Sequence, residues 1–374
     1  MNLLTETPKK RIDSIDILRG VVMIIMALDH TRDFFTHLNY DPTDLTRAST
    51  ALFLTRFITH FCAATFVFLA GTGAFLYLSR GKTKVEASKF LLSRGLWLIL
   101  LECTIIHWGW GFGIFLQVIW VIGLSMVILS ALIYLPVPVI TAFGLILIFG
   151  HNLLDHVDAS SFSPTGKTLW TILHVQGMIH LWGNNSVFLM YPLIPWVGVM
   201  ATGYGFGTIF KWDDVAKRKK TLVTLGVSAI ALFILIRYFN IYGDPGIWTN
   251  QGNPVRTILS FIDIQKYPPS LDYLLITLGP GMLFLAWIEG KSNTLTNIFV
   301  VYGRVPLFYY ILHLYLLHLM AIIASVITGQ PKGVAVDLPV VYLLWLTAVV
   351  ILYLPSRWFM KYKQGHKQWW LSYL

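Results

Sequence analysis

Long apolar segments recur along the whole chain and constrain its fold more than any other feature. A helix needs about 20 apolar residues to cross roughly 30 Å of hydrocarbon, and ten segments meet this length by our reading. Only 12% of the residues are charged, whereas soluble domains carry about 25%. We therefore predict an all-α integral membrane protein, a polytopic bundle of about ten transmembrane helices. The predicted spans are 15–36, 53–78, 90–107, 114–134, 137–153, 187–210, 221–240, 271–289, 303–327 and 338–358.

Lys and Arg residues are distributed unevenly between the two ends of these spans. Cytoplasmic loops of membrane proteins are enriched in positive residues, and ten crossings place 20 of the 28 Lys and Arg residues on one side. We therefore expect both termini to be cytoplasmic. The net charge of +10 reflects this asymmetry, and we expect no nucleic-acid partner. The cytoplasmic set is Lys9, Lys10, Arg11, Arg19, Arg80, Lys82, Lys84, Lys89, Arg94, Lys211, Lys217, Arg218, Lys219, Lys220, Lys291, Arg304, Arg357, Lys361, Lys363 and Lys367.

The remaining composition indicates a single membrane domain. We expect a disordered cytoplasmic N-terminus over 1–11, a transmembrane domain over 12–360 and a cytoplasmic tail over 361–374. The start of the chain lacks a signal-peptide core and cleavage site, so the first span is read as an uncleaved signal anchor. The two cysteines lie in apolar runs, which excludes a disulfide framework or a zinc pattern. The external loops 154–186 and 241–270 carry aromatic and amide side chains that suit a sugar-like ligand or simply mark the membrane interface.

The first span carries polar chemistry at its outer end. Ionisable side chains at membrane depth are costly, so they face protein or a water-filled cavity. Asp29, Asp33 and His37 follow helical spacing and are expected on one face, with His30 and Arg32 beside them. A histidine can act as a general base near neutral pH, oriented by a neighbouring carboxylate. We predict that His30 or His37 is this base, with Arg32 balancing Asp29 and Asp33. The alternative is a charge-balanced cluster that only caps the helix.

Several other polar residues lie within predicted spans. Asp16 and Arg19 are three residues apart and can pair at the cytoplasmic end, or Arg19 can simply anchor to lipid phosphate. An intramembrane Glu102 must be paired, protonated or turned toward a cavity. His313 and His318 are five residues apart, so at most one is expected to face inward. His30, Asp33 and His37 could in principle bind a metal, but no His pair at metal-ligand spacing with a carboxylate is evident, and no metal is expected.

Several segments of the sequence resemble a known family. The match is specific in the first two spans, where D-x-x-R-G, the polar outer cluster and F-V-F-x-x-G-T follow one another, and it extends more loosely over nearly the whole chain. These segments resemble the bacterial branch of the heparan-alpha-glucosaminide N-acetyltransferase catalytic family. The matching stretches are SIDILRGVVMIIMALDHTRDFF, FVFLAGTGAFL, YPLIPWVGVMATGYGFG, KYPPSLDYLLITLGPG and YGRVPLFYYILHLYLLH.

The resemblance implies a chemistry and a set of site residues. Eukaryotic relatives move an acetyl group from cytosolic acetyl-CoA across the membrane to a terminal amino sugar, using a histidine just beyond the first span. By position, their asparagine corresponds to Asp29 and their histidine to His37. The glycine-rich link of the relatives is replaced here by HTRD, so His30 is an equal candidate. The residues expected to contact the acceptor are His60, Glu102, Trp182, Asn184 and His313; those expected to contact the donor are Asp16, Arg19, Arg94 and Arg304.

These observations together predict an integral membrane acyltransferase in the inner (plasma) membrane. It would move an acyl group, acetyl by the resemblance, from cytosolic acyl-CoA to a glycan or other cell-envelope acceptor on the outer face. The expected partners are the lipid bilayer, acetyl-CoA as co-substrate and the acceptor, and a homo-oligomer of the chain is left open. The alternative is a proton-coupled transporter or permease that uses the intramembrane Asp, Glu and His residues, although the paired halves with interrupted helices typical of transporters are not evident. A third alternative, a non-catalytic membrane scaffold, does not explain the polar cluster at the outer end of the first span.

Overall fold

Helices account for most of the chain. The computed structural model describes residues 12–111, 113–181, 185–330 and 334–374, so the predicted disordered segment 1–11 lies outside the described residues. The α-helices are α1 (Asp13–Phe35), α2 (Thr50–Leu78), α3 (Lys84–Leu101), α4 (His107–Trp110), α5 (Val118–Leu132), α6 (Val137–Gly150), α7 (Pro164–Leu173), α8 (Leu193–Phe206), α9 (Val215–Phe239), α10 (Pro254–Ile262), α11 (Leu271–Ile288), α12 (Thr294–Arg304), α13 (Pro306–Thr328) and α14 (Leu338–Gly365).

The length and composition of the helices confirm the predicted fold class. Within the described residues, eight helical segments are long and apolar enough to cross a membrane. Two further predicted spans correspond to α1, which carries Asp and Arg residues toward both ends, and to α5, which has only 15 residues. The proline turn predicted between the fourth and fifth spans is also present, since α5 ends at Leu132 and α6 begins at Val137. The chain is therefore an all-α, multi-pass membrane protein.

A small sheet interrupts the helices and shortens two predicted spans. It consists of β1 (Phe115–Leu116), β2 (Gly177–His180) and β3 (Ser186–Leu189), in the order β1-β3-β2. β1 runs parallel to β3, and β2 runs antiparallel to it. The predicted starts at 114 and 187 are therefore wrong. The backbone groups there bond to a neighbouring strand, as when the Phe188 N–H donates to the Ile114 carbonyl at 3.1 Å, and α5 and α8 begin a few residues later.

Glycines allow close contact between helices that position the polar cluster. A Cβ at Gly20 of α1 would lie 1.9 Å from the Phe299 carbonyl oxygen, and a Cβ at Gly303 of α12 would lie 1.8 Å from the Asp16 carbonyl oxygen. Side chains are therefore excluded where α1 crosses α12. Gly71 of α2 is packed as tightly, because a Cβ there would lie 2.0 Å from the Met200 carbonyl oxygen. A Cβ at Gly73, in contrast, would meet no atom within 4 Å.

Replacing Gly20 with alanine is expected to destabilise the protein by about 1–3 kcal/mol, because the added methyl group would overpack the crossing of α1 and α12. Gly73→Ala is the matched control, since its Cβ enters open space and its effect is expected within about 0.5 kcal/mol. Thermal unfolding of the two purified variants in the same detergent measures the difference. Equal unfolding temperatures for Gly20→Ala and Gly73→Ala would contradict the packing argument.

Candidate active site

Two cavities open from the two ends of α1. The outer cavity, of about 430 Å³, is bordered by the end of α1 that carries Asp29 and His30. The inner cavity, of about 1100 Å³, is bordered by the opposite end, which carries Asp16 and Arg19. The names follow the predicted membrane orientation. Each helix that borders both cavities therefore links the two predicted faces of the membrane.

Positive charge is concentrated at the inner cavity. Its lining includes eight basic and four acidic side chains. All eight belong to the set that the charge distribution predicts to be cytoplasmic, although they come from segments far apart in the chain. The structure thus collects residues from several predicted cytoplasmic loops around one cavity. They are Arg19, Arg80, Arg94, Lys211, Arg218, Lys291, Arg304 and Lys363.

Asp29 is the centre of a buried ion cluster at the outer cavity. Its carboxylate lies 2.8 Å from Arg32 Nη2, 2.6 Å from Arg56 Nη1 and 3.9 Å from Lys266 Nζ. Arg32 also reaches Asp33 Oδ1 at 2.6 Å, so this guanidinium lies within ion-pair distance of both carboxylates. Three cations face two carboxylates, so the cluster leaves a positive surplus beside the cavity. Arg32 Nη1 is buried without a hydrogen-bond partner in the described part of the chain.

His30 lies next to this cluster and pairs with a second histidine. Its Nδ1 is 2.6 Å from His313 Nε2 of α13. The ring also contacts Trp110 and Tyr310, with centroid distances of 4.8 and 6.0 Å. His30 borders the outer cavity, whereas Tyr310 borders the inner one. The histidine therefore lies where the two cavities approach each other.

His37 also borders the outer cavity, but it does not extend the helical face. α1 ends at Phe35, and His37 has a φ of +40° in the following loop. The predicted alignment of Asp29, Asp33 and His37 on one helix face is therefore wrong beyond Asp33. The Thr36 side chain and backbone N–H both bond to the Arg32 carbonyl and complete the last helical turn. The left-handed backbone at His37 then turns the chain out of the helix. His30 is 9% exposed, whereas His37 is open to solvent.

An external loop supplies Lys266 and Tyr267, which border the outer cavity. Arg237 holds this loop by donating to the carbonyls of Phe261 and Asp263 at 2.9 and 2.6 Å. Burial acts to raise the pKa of the Tyr267 phenol, but the charges of Lys266 and Arg56 outweigh it and lower the pKa below its ordinary value. The cations around the Tyr267 phenol therefore favour its anionic form more than burial disfavours it.

Sequence reasoning missed Arg56, Lys266 and Tyr267. The sequence offers a reason to consider Arg56, because it is a cation in the predicted second span, four residues before His60. Lys266 and Tyr267 lie in the KYPPS stretch that entered only through the family resemblance. Nothing in the local sequence connects either segment to Asp29, so their convergence is a result of the tertiary structure.

The remaining predicted acceptor residues lie apart from the outer cavity or outside the described residues. Glu102 accepts a hydrogen bond from the Trp120 backbone N–H at 2.9 Å, so its observed contact is with the first turn of α5. His60 is buried against Tyr273, with a centroid distance of 5.5 Å. His313 is 0% exposed and contacts His30. Trp182 and Asn184 lie outside the described residues.

The predicted donor residues all border the inner cavity. Asp16 pairs with Arg19 at 3.1 Å, as predicted, and also with Arg304 at 3.3 Å. Arg304 contacts Asp13 at 3.0 Å as well. Arg94 donates to the Ser372 carbonyl at 2.6 Å, so the predicted cytoplasmic tail packs back against α3. These four side chains are thus held in place at the cavity by neighbouring groups.

Two apolar side chains line both the outer and the inner cavity. Phe66 of α2 and Val118 of α5 border both cavities. Met26 lies on the outer side and Met23, one turn earlier in α1, on the inner side.

Comparison with protein families gives a match over the first part of the chain. The family model described as heparan-alpha-glucosaminide N-acetyltransferase, catalytic, matches residues 11–238, which is more than half of the chain. This region includes α1, α2 and α5, which contribute His30, Arg56, Phe66 and Val118 to the cavities. No curated protein matches the chain.

Replacing Asp29 with alanine is expected to destabilise the protein by about 3–5 kcal/mol, because Arg32, Arg56 and Lys266 would be left as buried cations without their shared carboxylate. Asp33→Ala removes a half-exposed carboxylate from the same helix end and is expected to cost about 1 kcal/mol or less. Chemical unfolding of both variants in detergent compares them. Similar losses of stability would refute the central role of Asp29.

Proposed function

The chain belongs to the heparan-alpha-glucosaminide N-acetyltransferase catalytic family, and we propose that it transfers an acetyl group from cytosolic acetyl-CoA to a sugar acceptor at the outer face of the inner (plasma) membrane. The observation that carries this proposal is the pair of cavities. One is rich in cations, the other contains a buried histidine, and Phe66 and Val118 border both. Family membership favours this enzyme over a proton-coupled transporter.

The inner cavity suits a donor that carries phosphate groups. Arg80 and Lys211 are exposed there and make no ion pair with another described residue, so they are available to phosphate oxygens. Arg19 and Arg304 contribute charge but already contact Asp16. We therefore propose that Arg80 and Lys211 bind the phosphates of the donor, while Arg19, Arg94 and Arg304 raise the local positive potential.

The outer cavity suits a single sugar unit. Its volume of about 430 Å³ lies within the range of small-molecule sites, about 300–1,000 Å³. Tyr40, Tyr191 and Tyr267 border it and offer both flat apolar faces and hydroxyl groups to a sugar ring. The surplus of positive charge around Asp29 is compatible with a neutral sugar and favours a sugar that carries a negative group.

The chemistry proposed for His30 is general-base catalysis. Its ring accepts the proton of the acceptor amine or hydroxyl, and the acceptor atom forms a bond to the thioester carbonyl carbon. The carbon–sulfur bond then breaks, and His30 returns the proton to the leaving thiolate, so the proton count balances. The cations near Asp29 stabilise the oxyanion that forms on the carbonyl. His37 is the second candidate base, since it borders the same cavity.

The catalytic assignment is tested with purified protein, acetyl-CoA and glucosamine as the acceptor probe. His30→Ala is expected to lower kcat by about 10²–10⁴-fold, the usual contribution of a general base. His37→Ala should have a smaller effect because its side chain is open to solvent. His156→Ala is the control, since this histidine is exposed at the end of the fifth span. Release of the CoA thiol and formation of N-acetylglucosamine give the rates. Unchanged turnover in both His30→Ala and His37→Ala would refute the assignment.

Replacing Phe66 with alanine is expected to widen the space between the two cavities and relax selection against longer acyl chains. The ratio of kcat/KM for butyryl-CoA to that for acetyl-CoA should rise about 10-fold or more, since a methylene group in an apolar site typically changes discrimination by 10–200-fold. Phe61→Ala on the same helix is the matched control, because Phe61 packs against Phe57 and does not border either cavity. An unchanged ratio in Phe66→Ala would place the acyl passage elsewhere.

A further inference from the structure

His313 lies beside the proposed base but cannot contact a substrate directly. It is 0% exposed, and its Nε2 is 2.6 Å from His30 Nδ1. We infer that His313 is a positioning residue that holds His30 in the tautomer whose Nε2 is unprotonated, so that Nε2 is the nitrogen that accepts the proton. The catalytic consequence of this inference rests on the proposed function, whereas the tautomer itself follows from the hydrogen bonds.

The chain of hydrogen bonds starts at a backbone carbonyl. His313 Nδ1 lies 3.1 Å from the Tyr309 carbonyl oxygen. A carbonyl oxygen can only accept a hydrogen bond, so His313 Nδ1 carries a proton. A neutral imidazole has one N–H group, and His313 Nε2 therefore presents a lone pair. His30 Nδ1 must then be the donor in the contact between the two rings, which leaves His30 Nε2 without a proton.

The surroundings of the two rings favour the neutral form of both. His313 contacts the rings of Tyr309 and Tyr310, with centroid distances of 5.5 and 5.3 Å. In the described residues neither His30 nor His313 forms an ion pair with a carboxylate, and the nearby Asp29 is already engaged by Arg32 and Arg56. A buried imidazolium without an anionic partner is costly. The alternative arrangement, in which a charged His313 donates to His30, is therefore unfavourable.

The same hydrogen bond assists the proton transfer. When His30 Nε2 takes a proton, the ring becomes positively charged and its Nδ1–H becomes a stronger donor to His313 Nε2. His313 thus stabilises the imidazolium and fixes the ring orientation, a role that carboxylates and carbonyls fill for other catalytic histidines. The Nδ1 proton stays on His30 throughout, and only the proton on Nε2 passes from the acceptor to the thiolate.

The test compares two replacements of His313. His313→Leu keeps an apolar volume but offers no acceptor to His30, whereas the side-chain oxygen of His313→Gln can accept the same hydrogen bond. With acetyl-CoA and glucosamine, His313→Leu is expected to lower kcat about 100-fold while KM for acetyl-CoA changes by about twofold or less. His313→Gln is expected to recover about tenfold of this loss. His318→Leu, on the same helix, loses a contact to the Gly109 carbonyl and a stacking contact with Phe34, but His318 borders neither cavity, and this variant should keep the wild-type kcat.

A second readout does not depend on acyl transfer. Diethyl pyrocarbonate acylates an unprotonated imidazole nitrogen, and mass spectrometry of the His30 peptide gives the rate of this reaction. The rate should fall in His313→Leu and recover in His313→Gln. If this pattern is present but wild-type protein transfers no acetyl group, the positioning role stands and the proposed function fails.

Two outcomes would overturn the inference. One is a wild-type rate of His30 modification in both variants. The other is an equal loss of kcat and of modification in His313→Gln and His313→Leu, which would show that His313 contributes only packing. If His313→Leu does not fold, His313→Met replaces it in the same comparison with His313→Gln.

Discussion

The carboxylate of Asp29 is the interaction on which the outer half of the molecule depends. Charged groups at membrane depth are tolerated only when they are paired or face water, and this carboxylate pairs with cations from three different segments. Arg32 comes from the same helix, Arg56 from α2 and Lys266 from an external loop. One negative charge thus links α1, α2 and the loop that closes the outer cavity. The histidine next to it in the chain is placed beside the cavity by the same arrangement.

Charged side chains at the inner end of α1 are also paired with each other. Asp16 pairs with Arg19 and Arg304, and the absence of side chains at Gly20 and Gly303 brings α1 and α12 close enough for this contact. Two other cations of the inner cavity, Arg80 and Lys211, form no ion pair with another described residue and border the cavity. Paired charges therefore organise the wall, and unpaired charges give it a positive potential that suits an anionic donor.

His30 lies where the outer and inner cavities approach each other. It borders the outer cavity, contacts Tyr310 of the inner one and bonds to His313. Its neighbours also explain why a histidine suits this position. The Asp29 carboxylate is shared among three cations, so a backbone carbonyl acting through a second histidine orients the ring instead. In this way the proposed base is positioned without a further buried charge.

The sequence by itself determined the fold class and the approximate positions of the spans, because hydrophobic length acts locally along the chain, although the starts of two spans were placed too early. It also determined the Asp16–Arg19 and Asp29–Arg32 pairs, since residues three apart on a helix are neighbours. Only the tertiary structure decided that Arg56 and Lys266 share Asp29, that His313 rather than His37 contacts His30, and that Phe66 and Val118 border both cavities. His30 and His313 are 283 residues apart in the chain. Their contact depends on how α1 and α13 pack together, and no local pattern of residues encodes that distance.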